Sequence, residues 1–144
     1  MAVIERQIDI SAPIEDVFAY MDNPLHQPQI TPSMTEVKSV ERISNGGTRS
    51  HYVYKMAGIQ FEGTAETFEY VPNSRIGFNL FGGIEGKIWW QFEPLDVHHS
   101  RMIYRAEYTV PVPVLGDALA KLATSYNERE VETKLANLKT MMES

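Results

Sequence analysis

The chain has 144 residues, 43% of them hydrophobic and 10% aromatic, which suits a single globular domain with its own core and excludes a disordered chain. It has no cysteine, which excludes disulfides, thiolate catalysis and cysteine metal sites. The net charge of −6 comes from 19 acidic and 13 basic residues, and the scattered Arg49, Lys55, Arg75, Lys87, Arg101 and Arg105 form no basic face of the kind nucleic acid needs.

The chain opens on AVIERQIDI, where Ile4, Ile8 and Ile10 share one face and Glu5, Gln7 and Asp9 the other, as in a half-buried strand. No basic start precedes a long apolar run there, and no later stretch approaches the roughly 20 apolar residues of a membrane helix. A cytoplasmic protein without stable membrane insertion is the expectation. In SAPIEDVFAYMDNP, Ser11 can cap a helix, Pro13 suits its first position, and Glu15 and Asp16 favour its positive end. Ile14, Val17, Phe18 and Met21 form its apolar stripe, and Asn23-Pro24 stops it. LHQPQITPSM, with Pro28 and Pro32, allows only a short helical turn or loop.

From Thr35 to Val110, β-branched and aromatic runs are cut by turn signals: Asn45-Gly46-Gly47, Ala57-Gly58, Pro72-Asn73-Ser74, Gly82-Gly83 and Pro94-Leu95-Asp96. This spacing predicts six consecutive antiparallel strands over 35–44, 48–57, 59–71, 75–82, 86–93 and 100–110. After Pro111-Val112-Pro113 a helix is predicted from about Leu115 to the C-terminus. Leu115, Leu119, Leu122 and Tyr126 make one stripe, and Val131, Leu135, Leu138 and Met142 a second on nearly the opposite side. Such a helix either kinks near Asn127 or touches the body with different faces along its length.

The expected fold is therefore α+β. A curved seven-stranded antiparallel sheet wraps around a long C-terminal helix, with two short helices between the first and second strands. A sheet of this size must cover its apolar face, and the terminal helix is the only element long enough to do so. The space between them is either filled by side chains or left as a pocket.

The segment GGIEGKIWW, residues 82–90, looks superficially like a phosphate loop. A P-loop needs G-x-x-x-x-G-K-[ST] ahead of a helix. Here Phe81 stands at the first glycine position, Ile88 follows Lys87, and a strand follows, so a glycine hairpin is the better reading. Trp89 and Trp90 are strand neighbours and face opposite sides, so they cannot form one stacking platform. Trp90, in phase with Ile88 and Phe92, is expected to point into the core or a pocket, and Trp89 to lie outside.

Taken together, IDISAPIEDVFAYMDNP, GGTRSHYVY, FEYVPNSRIGF and the closing LANLKTMMES resemble the START-related helix-grip superfamily of polyketide cyclases, birch-pollen-type allergens and coenzyme Q-binding proteins. The resemblance spans nearly the whole chain and rests on scaffold motifs, so it implies the fold more than an activity. Many relatives carry a tryptophan just after the first helices, where this chain has HQPQITPSM, which implies a different pocket mouth.

Tyr52, Tyr54 and Met56 share a face of one strand, Tyr104, Ala106 and Tyr108 of another, and Ile76, Phe78 and Leu80 of a third. Buried tyrosine hydroxyls need partners, so tyrosines on one face point either to a partly hydrated pocket or to a wet sheet rim. His98 and His99 belong to a turn beside Asp96, His26 stands near the expected pocket mouth, and His51, out of phase with Tyr52 and Tyr54, is expected to face outward; with the opposite phase it would be the best candidate general base. No histidine spacing supports zinc, and no cofactor is expected.

The leading functional reading is a binding protein for a small hydrophobic or aromatic molecule of lipid, quinone or polyketide type. Its candidate ligand-binding residues are Tyr52, Tyr54, Phe61, Phe78, Trp90, Tyr104, Tyr108, Leu119, Leu122 and Tyr126. A second reading is a polyketide cyclase or dehydratase-type enzyme, as the resemblance implies, using pocket Tyr, Arg or His as acid and base. Arg49, Gln91, Asn79, Glu66, Tyr104 and Tyr108 are available, with no diagnostic spacing among them. A third is an interaction module or homodimer that uses Trp89, Met141-Met142 and the second helix stripe.

Overall fold

A computed structural model describes residues 2–56, 58–109 and 116–144, with the backbone alone for 116–120 and 123. The elements in chain order are β1 (Ala2–Ile10), α1 (Ile14–Met21), a 3₁₀ turn (Pro24–His26), α2 (Gln27–Ile30), β2 (Met34–Arg42), β3 (Thr48–Met56), β4 (Ile59–Val71), β5 (Arg75–Phe81), β6 (Glu85–Asp96), β7 (His99–Thr109) and α3 (Gly116–Glu143). The seven strands form one antiparallel sheet in the order β1-β7-β6-β5-β4-β3-β2, as expected of consecutive hairpins closed by the N-terminal strand. The expected strand ends at Ala57 and Val110, the Pro111-Val112-Pro113 break and Leu115 lie outside the described residues. Among the described residues no helix is long and apolar enough to cross a membrane.

Three local expectations are corrected. Pro94-Leu95-Asp96 is not the turn before β7. β6 runs through Pro94, a register irregularity between Pro94 and Asp96 absorbs it, and Val97-His98 make the turn. Ser11 does not cap α1, whose N-cap is Pro13; its N–H donates instead to Glu143 Oε2 at 2.8 Å, tying the end of β1 to the end of α3. The second helix stripe is not a free partner surface, because Val131, Leu135 and Leu138 are buried in the main core and Met142 packs against it.

α1 buries Ile14, Val17, Phe18 and Met21 on the concave face, with the Phe18 ring edge-on to Phe92 at 5.2 Å and to Tyr70 at 5.8 Å. α3 covers the rest of the concavity with a stripe that includes two polar residues: Asn127, Val131, Lys134, Leu135 and Leu138 are all buried. Burying a polar side chain on a core-facing stripe is costly unless something faces it.

The glycine segment shapes the concave side. At Gly63 on β4 a Cβ would sit 2.4 Å from the Phe81 carbonyl oxygen and 2.6 Å from the Tyr52 hydroxyl, so the β5–β6 hairpin can fold across only a glycine. The Tyr52 hydroxyl pins the tip: it accepts from the Ile84 N–H and donates to the Ile84 carbonyl, each at 3.2 Å. Gly82 takes the left-handed backbone (φ +92°) this turn requires.

Candidate functional site

Two adjoining cavities lie between the sheet and α3. The first, of about 100 Å³, has an apolar floor of Ile76, Phe78, Leu80, Ile88 and Trp90, and a mouth that includes Met21, Asp22, Pro24, Gln27, Met34 and Val37. The second, of about 80 Å³, is walled by Tyr54, Tyr104, Tyr108, Asn127, Glu130 and Thr31 together with Ile4, Ala106 and Val131. Leu80, Ile84, Ile88 and Lys134 line both. Each volume far exceeds the roughly 10–15 Å³ that one water needs.

Lys134 is the polar centre of this space. Its Nζ lies over the Trp90 ring at 5.3 Å and the Tyr104 ring at 5.7 Å, within range of cation–π attraction. The residue is 7% exposed. Burial pulls its ammonium down from 10.5 to about 8, with Glu130 opposing the shift. The Glu130 carboxylate is itself engaged by the Ser33 N–H at 2.7 Å.

The second cavity gathers hydroxyls and an amide. Tyr54 donates to Asn127 Oδ1 at 3.3 Å. Among the described residues, Trp90 Nε1, the Tyr108 hydroxyl, Asn127 Nδ2 and Thr31 Oγ1 are buried with no hydrogen-bond partner. Unmet buried polar atoms of this kind are costly, and a ligand or trapped water with polar atoms would satisfy them. Burial drives the Tyr54 and Tyr104 hydroxyls far above the ordinary phenol range, and raises Tyr108 as well, so all three are neutral proton donors at physiological pH.

At the mouth, Asp22 accepts from Arg42 at 3.1 Å and from the Tyr70 hydroxyl at 2.9 Å. Gln27 donates weakly to Met21 Sδ at 3.7 Å and leaves its Oε1 unmet. The HQPQITPSM segment thus puts Gln27 and Met34 on the first cavity and Thr31 on the second, with Ser33 held to α3 through Glu130 and Tyr126.

The polyketide cyclase/dehydrase and lipid transport family model matches residues 1–143. The chain belongs to this family. No curated protein matches the sequence. Among solved structures the fold is similar to the Zhui aromatase/cyclase from Streptomyces sp. R1128, at 14% identity and TM-score 0.86, covering 99% of this chain and 93% of that one. It is also similar to a protein from Thermus thermophilus, at 24% identity and TM-score 0.77, covering 98% and 97%. A START superfamily protein from Mycobacterium smegmatis matches at 15% identity and TM-score 0.77, covering 96% and 98%. These likenesses confirm the helix-grip fold of this family member.

Of the residues expected from sequence, Tyr52, Phe78 and Trp90 line the first cavity, and Tyr54, Tyr104 and Tyr108 the second. Phe61 is buried with Tyr52, Tyr54 and Met56 but is on neither wall. Tyr126 stands at the edge, its hydroxyl bonded to Ser33 Oγ and to the Lys55 carbonyl. Leu122 is 66% exposed and lines neither cavity, because it lies nine residues before Val131, half a turn away on the helix. Leu119 lies outside the described side chains.

The acid–base candidates split by strand phase. Arg49 and Glu66 pair with each other on the exposed face at 3.0 Å, and Gln91 donates to Glu93 there. Asn79 is half-buried and sits in register between Glu66 and Lys87. Only Tyr104 and Tyr108 of that group reach the interior. His51 faces Glu62 at 3.5 Å outside, His99 pairs with Asp96 at 2.8 Å in its turn, and His26 stacks on Tyr20 at 4.5 Å. Trp89 lies outside against Phe68, with Lys87 and Arg105 over the two rings. Sequence reasoning missed Lys134, Asn127 and Glu130. The available signal was helix phase: 127 and 134 fall on the stripe of Val131, Leu135 and Leu138.

Proposed function

We propose that this family member binds a small, mostly apolar or aromatic molecule of lipid, quinone or polyketide type in the paired cavities under α3. The observation that carries the reading is the pairing itself: an apolar chamber opening into one lined by unmet hydroxyl and amide groups, with four residues in common. Concave, mostly apolar sites with a few convergent polar groups are the usual form of small-molecule sites. The apolar body of the ligand lies against Ile76, Phe78 and Trp90, and its oxygenated end is directed to Tyr104, Tyr108 and Asn127. No cofactor enters this reading.

A thermal-shift panel of fatty acids, quinones and polyketide-like aromatics tests it. At least one class, at about 100 times its Kd, should stabilise the fold by about 2.7 kcal/mol, a rise of several degrees. A flat response across the panel would count against a ligand site here.

A specific observation also favours cyclase or dehydratase chemistry; the Streptomyces neighbour is named an aromatase/cyclase, and the family description names cyclase and dehydrase. An amine that titrates near pH 8 and neutral phenols converge on the same space, which is the equipment for moving protons on a folded poly-ketone. Incubation with a poly-β-ketone thioester should then give a cyclised product with the wild type and much less with Lys134→Met. Equal products from both proteins would remove Lys134 from such chemistry.

A further inference from the structure

We infer that Lys134 is a covalent capture site for carbonyl ligands: its Nζ condenses with an aldehyde or ketone, above all a 1,3-diketone, held in the paired cavities. The inference rests on the binding reading above and deepens it by naming the ligand's reactive group.

A buried lysine with a structural role ordinarily reaches a carboxylate. Even the more exposed Lys139 of the same helix reaches one, Glu143 at 2.6 Å. Among the described residues Lys134 makes no such ion pair, and Glu130, one turn earlier, is already engaged by the Ser33 N–H. The Lys134 amine is instead placed where both cavities meet, between the aromatic floor and the tyrosine wall. A lysine desolvated against apolar walls is the arrangement that activates an amine as a nucleophile. At about 8, its lowered pKa leaves roughly a tenth of the amine neutral at pH 7, a few hundred-fold more than an exposed lysine.

The step balances without an added reagent. Neutral Nζ attacks the carbonyl carbon, and the C=O π pair passes to oxygen, which takes a proton from a Tyr104 or Tyr108 hydroxyl. The nitrogen returns one proton to that tyrosine and gives up a second as the carbinolamine loses its oxygen as water. A C=N bond replaces C=O, and nothing is oxidised or reduced. With a 1,3-diketone, a proton shift from the central carbon then gives a conjugated enaminone. The polar and titratable groups that line these cavities with Lys134 are Tyr104 and Tyr108 from β7, Tyr54 from β3, Glu130 and Asn127 from α3, and Asp22 from the mouth of the first cavity.

The test treats wild-type protein and Lys134→Arg, which keeps the charge over the two rings, with acetylacetone alone and with naphthaldehyde plus cyanoborohydride. Intact mass and peptide mapping locate the adducts. The expected result is one saturating adduct on Lys134, formed at least about tenfold faster than on Lys38, Lys55, Lys87, Lys121 or Lys139, and absent from the variant. Its pH profile should rise through the Lys134 titration near 8 and not through that of an exposed amine. Label spread evenly over the surface lysines, or found equally in the variant, would overturn the inference. Calorimetric titration with naphthol, which has no carbonyl, separates the two levels. Naphthol binding without a Lys134 adduct overturns covalent capture and leaves the binding reading standing. Failure of both probes overturns both.

Discussion

The two cavities share four residues and a common roof, yet their chemistry differs. The first has a floor drawn from the sheet, whose inward positions on β5 and β6 supply Ile76, Phe78, Leu80, Ile88 and Trp90. The second takes tyrosines from β3 and β7, and α3 adds Asn127, Glu130 and Lys134, which follow one another by about a turn. The difference teaches that the polarity of the second chamber comes from the tyrosines of two strands and the buried face of α3 together. An apolar chamber sets what fits, and a polar one sets how it is oriented.

The strongest way to break the comparison is to loosen the helix that covers both cavities. Leu138 is fully buried where α3 meets the core, and Leu138→Ala should destabilise the fold by about 2–5 kcal/mol and weaken every ligand alike. Urea denaturation checks the first effect and calorimetry the second.

Lys134 sharpens it next. The folded-state pKa of Lys134 lies below its unfolded value, so the unfolded chain holds the extra proton between about pH 8 and 10.5. Its contribution to stability therefore rises with pH across that window, by about 3 kcal/mol from the 2.5-unit difference, and is at its lowest below pH 8. Lys134→Met should be more stable than wild type at pH 7 by an amount of that order, and the gap should close by pH 10.5. The raised tyrosines act in the opposite sense above pH 10 but cancel in the difference between the two proteins. Denaturation curves at a series of pH values read this directly, and a gap independent of pH would contradict it.

Smaller changes separate the chambers. Ala65 lines only the first, and Ala65→Phe should fill it and cut affinity for an aromatic hydrocarbon about tenfold or more. Tyr108→Phe removes one unmet hydroxyl from the second; it should leave the hydrocarbon's affinity unchanged while lowering that of its hydroxylated analogue about fivefold. Parallel titrations of both ligands check the pair. Thr31→Val, which exchanges an orphaned buried hydroxyl for a methyl, should move stability by less than about 1 kcal/mol.

The sheet was legible in the sequence because strand alternation and turn residues are local signals. Trp90 inward, Trp89 outward and His51 outward all followed from a period of two. Pro94 misled because a bulge near a hairpin end tolerates a proline that a regular ladder would reject. Arg49 and Gln91 were nominated by residue type, although each is out of phase with the inward residue beside it, Ser50 and Trp90. The helix was harder. Its two apolar stripes looked equivalent, and only the tertiary placement of α3 decides that Leu122 faces out while Leu138 faces in. Lys134 escaped because a lysine on a helix is ordinarily solvated, and its position on the buried stripe mattered more than its type.

The most direct test is a crystal structure of the protein soaked with naphthol at a concentration that saturates it in calorimetry. The aromatic body should lie against Phe78 and Trp90, with its hydroxyl oxygen turned toward Lys134, Tyr104 and Tyr108. Naphthol seated only on the outer face beside Phe68 and Trp89, with water filling both cavities, would contradict the account.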